Sequence, residues 1–268
     1  MAFFQGAVIA DIDNTLYDWP SFFAPSFRAM VHALVRETGI EFEELERQFK
    51  HVYAQHDSLE FAFPIQELEL AQGLAEDQLD RLIFVGRGAF LSAYRKHLKP
   101  YEGVLEGLTW LQSQDYKTIC VTNSPIYLAQ KRLYQLGLDK LIEGLIAWEG
   151  IGAESASYVS KQWVQRRKTR KATRISQTLT FEREHSKPSI IPFEMAIREF
   201  SLEPRTTWAI GDSINKALRP AAHLGVGTIW AEYGAQFNPE DKNSKTLLRI
   251  TNWSDEEIRI THDRANFL

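Results

Sequence analysis

Residues 7–10, Ala-Val-Ile-Ala, form an apolar run too brief for a helix, bounded by Gly6 and Asp11. A short run without polar alternation reads as a strand buried on both faces, and such strands belong to parallel sheets covered by helices. The run ends in two carboxylates one residue apart, Asp11 and Asp13, followed by Asn14 and Thr15. Side chains two apart on extended backbone point to the same face, so both acids aim into one small volume. Without a cation there they repel.

From Ser21 to about Lys99 the period changes to that of helices. Phe23, Phe27, Met30, Val31, Leu34 and Val35 make one stripe, closed by Gly39 as a C-terminal cap. Phe42, Leu45, Phe49 and Val52 make a second, and Glu67 to Leu98 supplies at least one more. After a turn at Pro100 and Gly103 the chain alternates. A helix over 105–112 leads to a strand over 118–121. A helix follows, with Ser124 as N-cap, Pro125 at its first position and Gly137 at its end. Then come a strand over 141–148, a helix over 192–200, a strand over 207–210, a helix over 215–224 ending at Gly225, and a strand over 227–230. This alternation predicts an α/β fold, a doubly wound parallel sheet with helices on both faces. Residues 19–99 become a helical insertion after the first strand, and residues 1–18 and 100–268 the core domain.

The rhythm breaks between Glu149 and Lys187. Lys161, Arg166, Arg167, Lys168, Arg170, Lys171 and Arg174 occur with no acid between Ser155 and Phe181. Residues 150–186 read as a basic insertion, a surface loop or β-hairpin flap, with Trp163 as a stacking surface if it met nucleic acid. The tail around 247–250 reads as a last element packed on the core.

Composition narrows the function classes. The 268 residues are 44% hydrophobic and 25% charged, enough for a sizeable core, and the net charge of -4 gives no global attraction to nucleic acid or an anionic membrane. Nowhere do about 18 apolar residues run together, and no basic leader precedes the first acid, so a cytoplasmic location is expected. The single cysteine, Cys120, excludes an internal disulfide and sits in an apolar run as core filler. His51, His56 and His97 lack ligand partners at helical spacing and read as surface or satisfied core residues.

Further polar residues stand at predicted strand ends: Thr122 and Asn123, Asp212 after Gly211, and Lys187 just before a helix. In an open parallel sheet ligands bind outside the carboxyl ends of the strands, so these residues should converge on Asp11 and Asp13. Asp11, Asp13 and Asp212 are hard oxygen donors suited to Mg²⁺, which keeps several waters and shares substrate oxygens. Thr122 and backbone N–H groups suit phosphate oxygens, and Lys187 suits their charge. A magnesium ion, a phosphate and a free carboxylate together describe phosphoryl transfer to aspartate.

Asp11-x-Asp13-x-Thr15, then Thr122, Lys187 and Gly211-Asp212, in this order, resemble the four motifs of the haloacid dehalogenase-like (HAD) hydrolase superfamily. The match covers roughly residues 5–20, 100–148 and 185–235, and the helical insertion is similar to the family's C1-type cap. The resemblance implies a Rossmann-like core, an aspartyl-phosphate on Asp11, and Asp13 as acid and then base with its carbonyl on the metal. It further implies Thr122 and the Asn123 backbone as phosphate ligands, Lys187 as charge balance, and Asp212 as a Mg²⁺ ligand. The second acid at Asp13 favours a phosphatase over a dehalogenase, acting on a small phosphorylated metabolite or nucleotide. A mutase would use the same core. One departure stands out: where the family places another acid after Gly-Asp, this chain has Lys216 and Ala217. That implies weakened magnesium binding, offset in part by Ser213 or Asn215. The contrasting expectation is a weakly catalytic or non-catalytic scaffold that binds nucleic acid or a protein through the basic loop.

Overall fold

A computed structural model describes residues 5–150, 174–236 and 238–252. Its centre is a parallel sheet of β1 (Gly6–Ala10), β2 (Tyr116–Pro125), β3 (Gly144–Trp148), β4 (Gln177–Phe181), β5 (Thr207–Gly211) and β6 (Gly227–Trp230). The spatial order is β4-β3-β2-β1-β5-β6, every neighbouring pair parallel. The chain winds outward from β1 through β4, then returns to the other side of β1 at β5. The strand order therefore reverses beside β1, and a crevice opens at the carboxyl ends of β1 and β5.

Both sheet faces are covered, which explains the unbroken apolar strands. Val8 and Ala10 of β1 join one apolar cluster with Cys120 and Leu145, while Ala7 and Ile9 join another with Ile119, Val121 and Ile146. The first cluster continues into the helices between β1 and β2: α1 (Trp19–Thr38), α2 (Phe42–His56) and α3 (Glu76–His97). Asp18 caps α1 by accepting from the Ser21 N–H at 2.9 Å, and Gly39 ends it at φ 72°, a left-handed conformation that glycine adopts without strain. The remaining α-helices among the described residues are α4 (Val104–Ser113), α5 (Ile126–Gln135), α6 (Ile191–Glu199), α7 (Arg219–Ala222) and α8 (Lys242–Ile250). A π-helical turn, Ile214–Leu218, precedes α7. The tail element is α8, and it packs on α1 and α2, where Arg28 donates to Thr246 Oγ1 at 2.7 Å and Asn243 Oδ1 at 2.9 Å.

Two expectations need correction. Part of the insertion expected over 150–186 is strand β4, paired in parallel with β3 so that Ile146 faces Leu179. Its residues alternate between half-buried and exposed because it is an edge strand, so it lacks the apolar run that marks a central one. Lys161, Trp163 and the cations through Lys171 lie outside the described residues. Ser124 is not the N-cap of α5, because β2 runs on through Pro125 and the Ser124 hydroxyl is bonded to Asp13 instead. Cys120 is buried, and burial pushes its thiol pKa well up, which suits core filler. Among the described residues no helix is long and apolar enough to cross a membrane.

Candidate active site

The loop after β1 is shaped by its own sequence. Asn14 adopts φ 57°, a left-handed conformation that asparagine tolerates, and its side chain accepts from the Trp19 N–H at 3.1 Å. Its backbone N–H donates to Tyr17 O at 2.9 Å, closing the loop back on itself. Thr15 Oγ1 then accepts from the Asp212 N–H at 3.1 Å, tying the loop after β1 to the loop after β5. Gly234 packs so closely on this loop that a Cβ there would lie 1.5 Å from the Asn14 carbonyl oxygen.

Asp11, Lys187 and Asp212 come together as the strand ends predicted. Lys187 Nζ lies 2.6 Å from Asp11 Oδ2 and donates to Val121 O at 3.1 Å. The other Asp11 oxygen accepts from the Ile12 N–H at 2.7 Å. The Lys187 backbone is held by a reciprocal pair with the Asn123 amide: Lys187 N–H to Asn123 Oδ1 at 2.8 Å, and Asn123 Nδ2 to Lys187 O at 2.9 Å. The Asn123 side chain thus places the lysine. Thr122 Oγ1 accepts from the Ser124 N–H at 3.1 Å and stands 3.4 Å from Asp13 Oδ2.

The electrostatics of this group suit a cation. Burial raises the Asp11 pKa, with Lys187 opposing. Asp212 is pushed up to about 7, first by burial and then by the Asp11 charge, with Lys187 again opposing. Two buried carboxylates crowd one lysine, and hard oxygen donors with uncompensated charge are what Mg²⁺ takes. Among the described residues no three His, Cys, Asp or Glu side chains form a metal-holding group, because the Asp13 carboxylate points elsewhere.

A prediction follows from Asp212. Its folded pKa lies above the ordinary 3.8, so the native state keeps a proton that the unfolded chain has released. Stability conferred on the chelated protein therefore falls as pH rises between about 4 and 7, and the loss is complete above that range. A divalent cation binding the ionised pair offsets it. Mg²⁺ should raise the thermal unfolding midpoint more at about pH 8 than at about pH 5. Equal shifts at both pH values in a fluorimetric melt would contradict a cation site at Asp11 and Asp212.

The sequence reading missed the residues around Asp13. Asp13 Oδ1 accepts from Tyr17 Oη at 2.5 Å and from Arg132 Nη1 at 3.2 Å, and Oδ2 accepts from Ser124 Oγ at 2.6 Å. Arg132 Nη2 pairs in turn with Glu60, which also accepts from Trp19 Nε1 at 2.8 Å. A local signal existed only for Arg132, a cation on the buried face of α5 alongside Ala129 and Leu133. A cleft of about 490 Å³ opens over the sheet end between Asp13, Asn123 and Ser124 on one side and Lys50, Asp57 and Ser58 on the other. Arg183 reaches the same helical segment, donating to His56 O at 2.7 Å and Asp57 Oδ2 at 2.9 Å.

Comparison with known proteins agrees with this geometry. A family profile described as haloacid dehalogenase-like hydrolase matches residues 6–225. The chain is 23% identical over 240 residues to a glyceraldehyde 3-phosphate phosphatase of Methanopyrus kandleri, covering 88% of each protein. It is 29% identical over 141 residues to a phosphoglycolate phosphatase of Nitrosococcus oceani, covering 52% of this chain and 48% of the other. Among solved structures, a haloacid dehalogenase-like family hydrolase from Xanthomonas campestris superposes with a TM-score of 0.52 at 16% identity, covering 91% and 90%.

Proposed function

Since this chain belongs to the haloacid dehalogenase-like hydrolases, we propose that it is a magnesium-dependent phosphatase of small phosphorylated metabolites or nucleotides. The observation that carries this reading is the Asp11–Lys187 contact of 2.6 Å beside Asp212, at the strand-order reversal of the sheet. The two phosphatase relatives support a phosphate monoester as substrate.

In this mechanism an Asp11 carboxylate oxygen attacks phosphorus, and the bond from phosphorus to the leaving oxygen breaks as Asp13 supplies that oxygen with a proton. Water then attacks phosphorus and gives its proton to Asp13, and the Asp11–phosphorus bond breaks to release phosphate. Lys187 balances the charge of the phosphoryl oxygens, and Thr122 with the Asn123 backbone N–H holds them. Mg²⁺, held by Asp11, Asp212 and the Asp13 carbonyl, would supply charge neutralisation. Residues 19–99 would act as a C1-type cap that excludes water and selects the leaving group, over a core of residues 1–18 and 100–268. Hydrolysis of p-nitrophenyl phosphate with and without Mg²⁺, followed by a screen of phosphorylated metabolites, tests the reading. No turnover at high Mg²⁺ would refute it.

The missing acid after Asp212 is part of the proposal. Ala217 is 2% exposed, and a Cβ on Gly211 would meet the Ala217 methyl at 2.6 Å and Asp11 Cβ at 3.5 Å, so position 217 borders the carboxylate pair. Ala217→Asp should tighten Mg²⁺ binding by about 10-fold, measured by titration calorimetry. Unchanged affinity and turnover would show that the site does not lack this group.

A further inference from the structure

Arg132 joins two acids that lie far apart in the chain. Its Nη1 faces Asp13 Oδ1 at 3.2 Å, Ser124 Oγ at 3.1 Å and Tyr17 Oη at 3.4 Å, while its Nη2 pairs with Glu60. The guanidinium carbon stands 5.1 Å from the centre of the Phe22 ring, and the side chain is 3% exposed. Glu60 is 10% exposed and comes from the segment after α2, which Arg183 holds at Asp57. A guanidinium is planar and rigid, so its two nitrogens cannot be moved independently. Glu60 thereby anchors one nitrogen of the fork whose other nitrogen faces Asp13.

We infer that Arg132 is a positioning residue for the Asp13 carboxylate, and that Glu60 makes this position depend on how the helical segment after α2 is seated on the sheet end. The donors aimed at Asp13 come from three places: Tyr17 in its own loop, Thr122 and Ser124 near the end of β2, and Arg132 on α5. Of these, Arg132 alone carries charge and reaches the segment after α2. This inference rests on Asp13 serving as acid and base, and it adds to that role a contact through which closure over the cleft and alignment of the proton donor are one event.

Leaving-group dependence separates positioning from mere support of the fold. Phenyl phosphate and p-nitrophenyl phosphate share a shape, but phenoxide needs a proton far more than nitrophenoxide does. An acid held out of place therefore slows transfer from the first substrate to Asp11 and largely spares transfer from the second, while hydrolysis of the shared aspartyl-phosphate, in which Asp13 is the base, slows alike for both. The test is kcat/KM, which reports the steps through leaving-group release, on both substrates for the full chain and for Asp13→Asn, Arg132→Lys and Glu60→Gln. Circular dichroism verifies that each variant is folded. Arg132→Lys keeps the charge but loses the fork, and Glu60→Gln keeps the shape if the lysine variant folds poorly.

The expected result is that both variants follow Asp13→Asn, with kcat/KM for phenyl phosphate lowered by about 10-fold or more and a far smaller loss of kcat/KM for p-nitrophenyl phosphate. Equal losses of kcat/KM on the two substrates, beside a contrast in Asp13→Asn, would overturn the inference while leaving the acid role of Asp13 in place. Absence of the contrast in Asp13→Asn itself would overturn both.

Discussion

Asp11→Asn is expected to lower turnover of phosphate monoesters by about 10⁴-fold or more, the scale on which loss of a covalent nucleophile acts. The substitution is nearly isosteric, and its surroundings survive it: the Ile12 N–H still has an oxygen to donate to, and Lys187 keeps its bond to Val121 O. The amide lacks the charge and nucleophilicity to attack phosphorus, so the first step is lost while the site stays assembled. Acid quenching during turnover of a radiolabelled phosphate ester supplies a second readout. Label stays on the wild-type protein and is absent from the variant. A variant that retains more than about a hundredth of wild-type activity, or a wild type that never carries label under burst conditions, excludes an aspartyl-phosphate on Asp11.

Arg132→Met is the substitution with the largest expected effect on stability. The guanidinium is the cation between Glu60 and Asp13, and both Arg132 and Glu60 are nearly closed to solvent. Removing one partner of a buried ion pair leaves an uncompensated charge, and the cost is about 3–5 kcal/mol. Urea unfolding measures it as a lower midpoint at constant slope. The double variant Arg132→Met with Glu60→Gln removes both buried charges and should be more stable than Arg132→Met alone, with a coupling of about 1–3 kcal/mol. Additive losses would mean that Glu60 and Arg132 do not act as a pair.

These two substitutions fall on residues of different visibility in the sequence. Asp11 stands at the end of an apolar run, next to a second acid, and its position could be read without a structure. Arg132 could not, because every partner that gives it meaning lies on another element. The same division holds across the fold. Strands β1 and β3 were legible because they bury every residue, which leaves short apolar runs, and β2, β5 and β6 because their apolar segments fall between helical patterns. Strand β4 was not, since an edge strand needs only one buried face, and its residues read as a polar, β-branched loop. Ser124 shows how a local rule can be overridden. A serine before proline reads as a helix cap, but a half-buried carboxylate 2.6 Å away is the stronger claim on its hydroxyl.

What the sequence by itself determined was therefore the part of the protein governed by short range and by period: a parallel sheet, a helical block after its first strand, Asp11, Thr122 and Asp212 at strand ends, and Lys187 ahead of a helix. Burial on two faces and the two-residue repeat of extended backbone leave that information in neighbouring residues. Only the tertiary structure decided which way Asp13 turns, that the Asn123 side chain holds the Lys187 backbone, and that Arg132 links Glu60 to the site. Those are contacts between residues tens of positions apart, and a side chain's partner across such a distance is chosen by packing and desolvation, which no local pattern in the chain encodes.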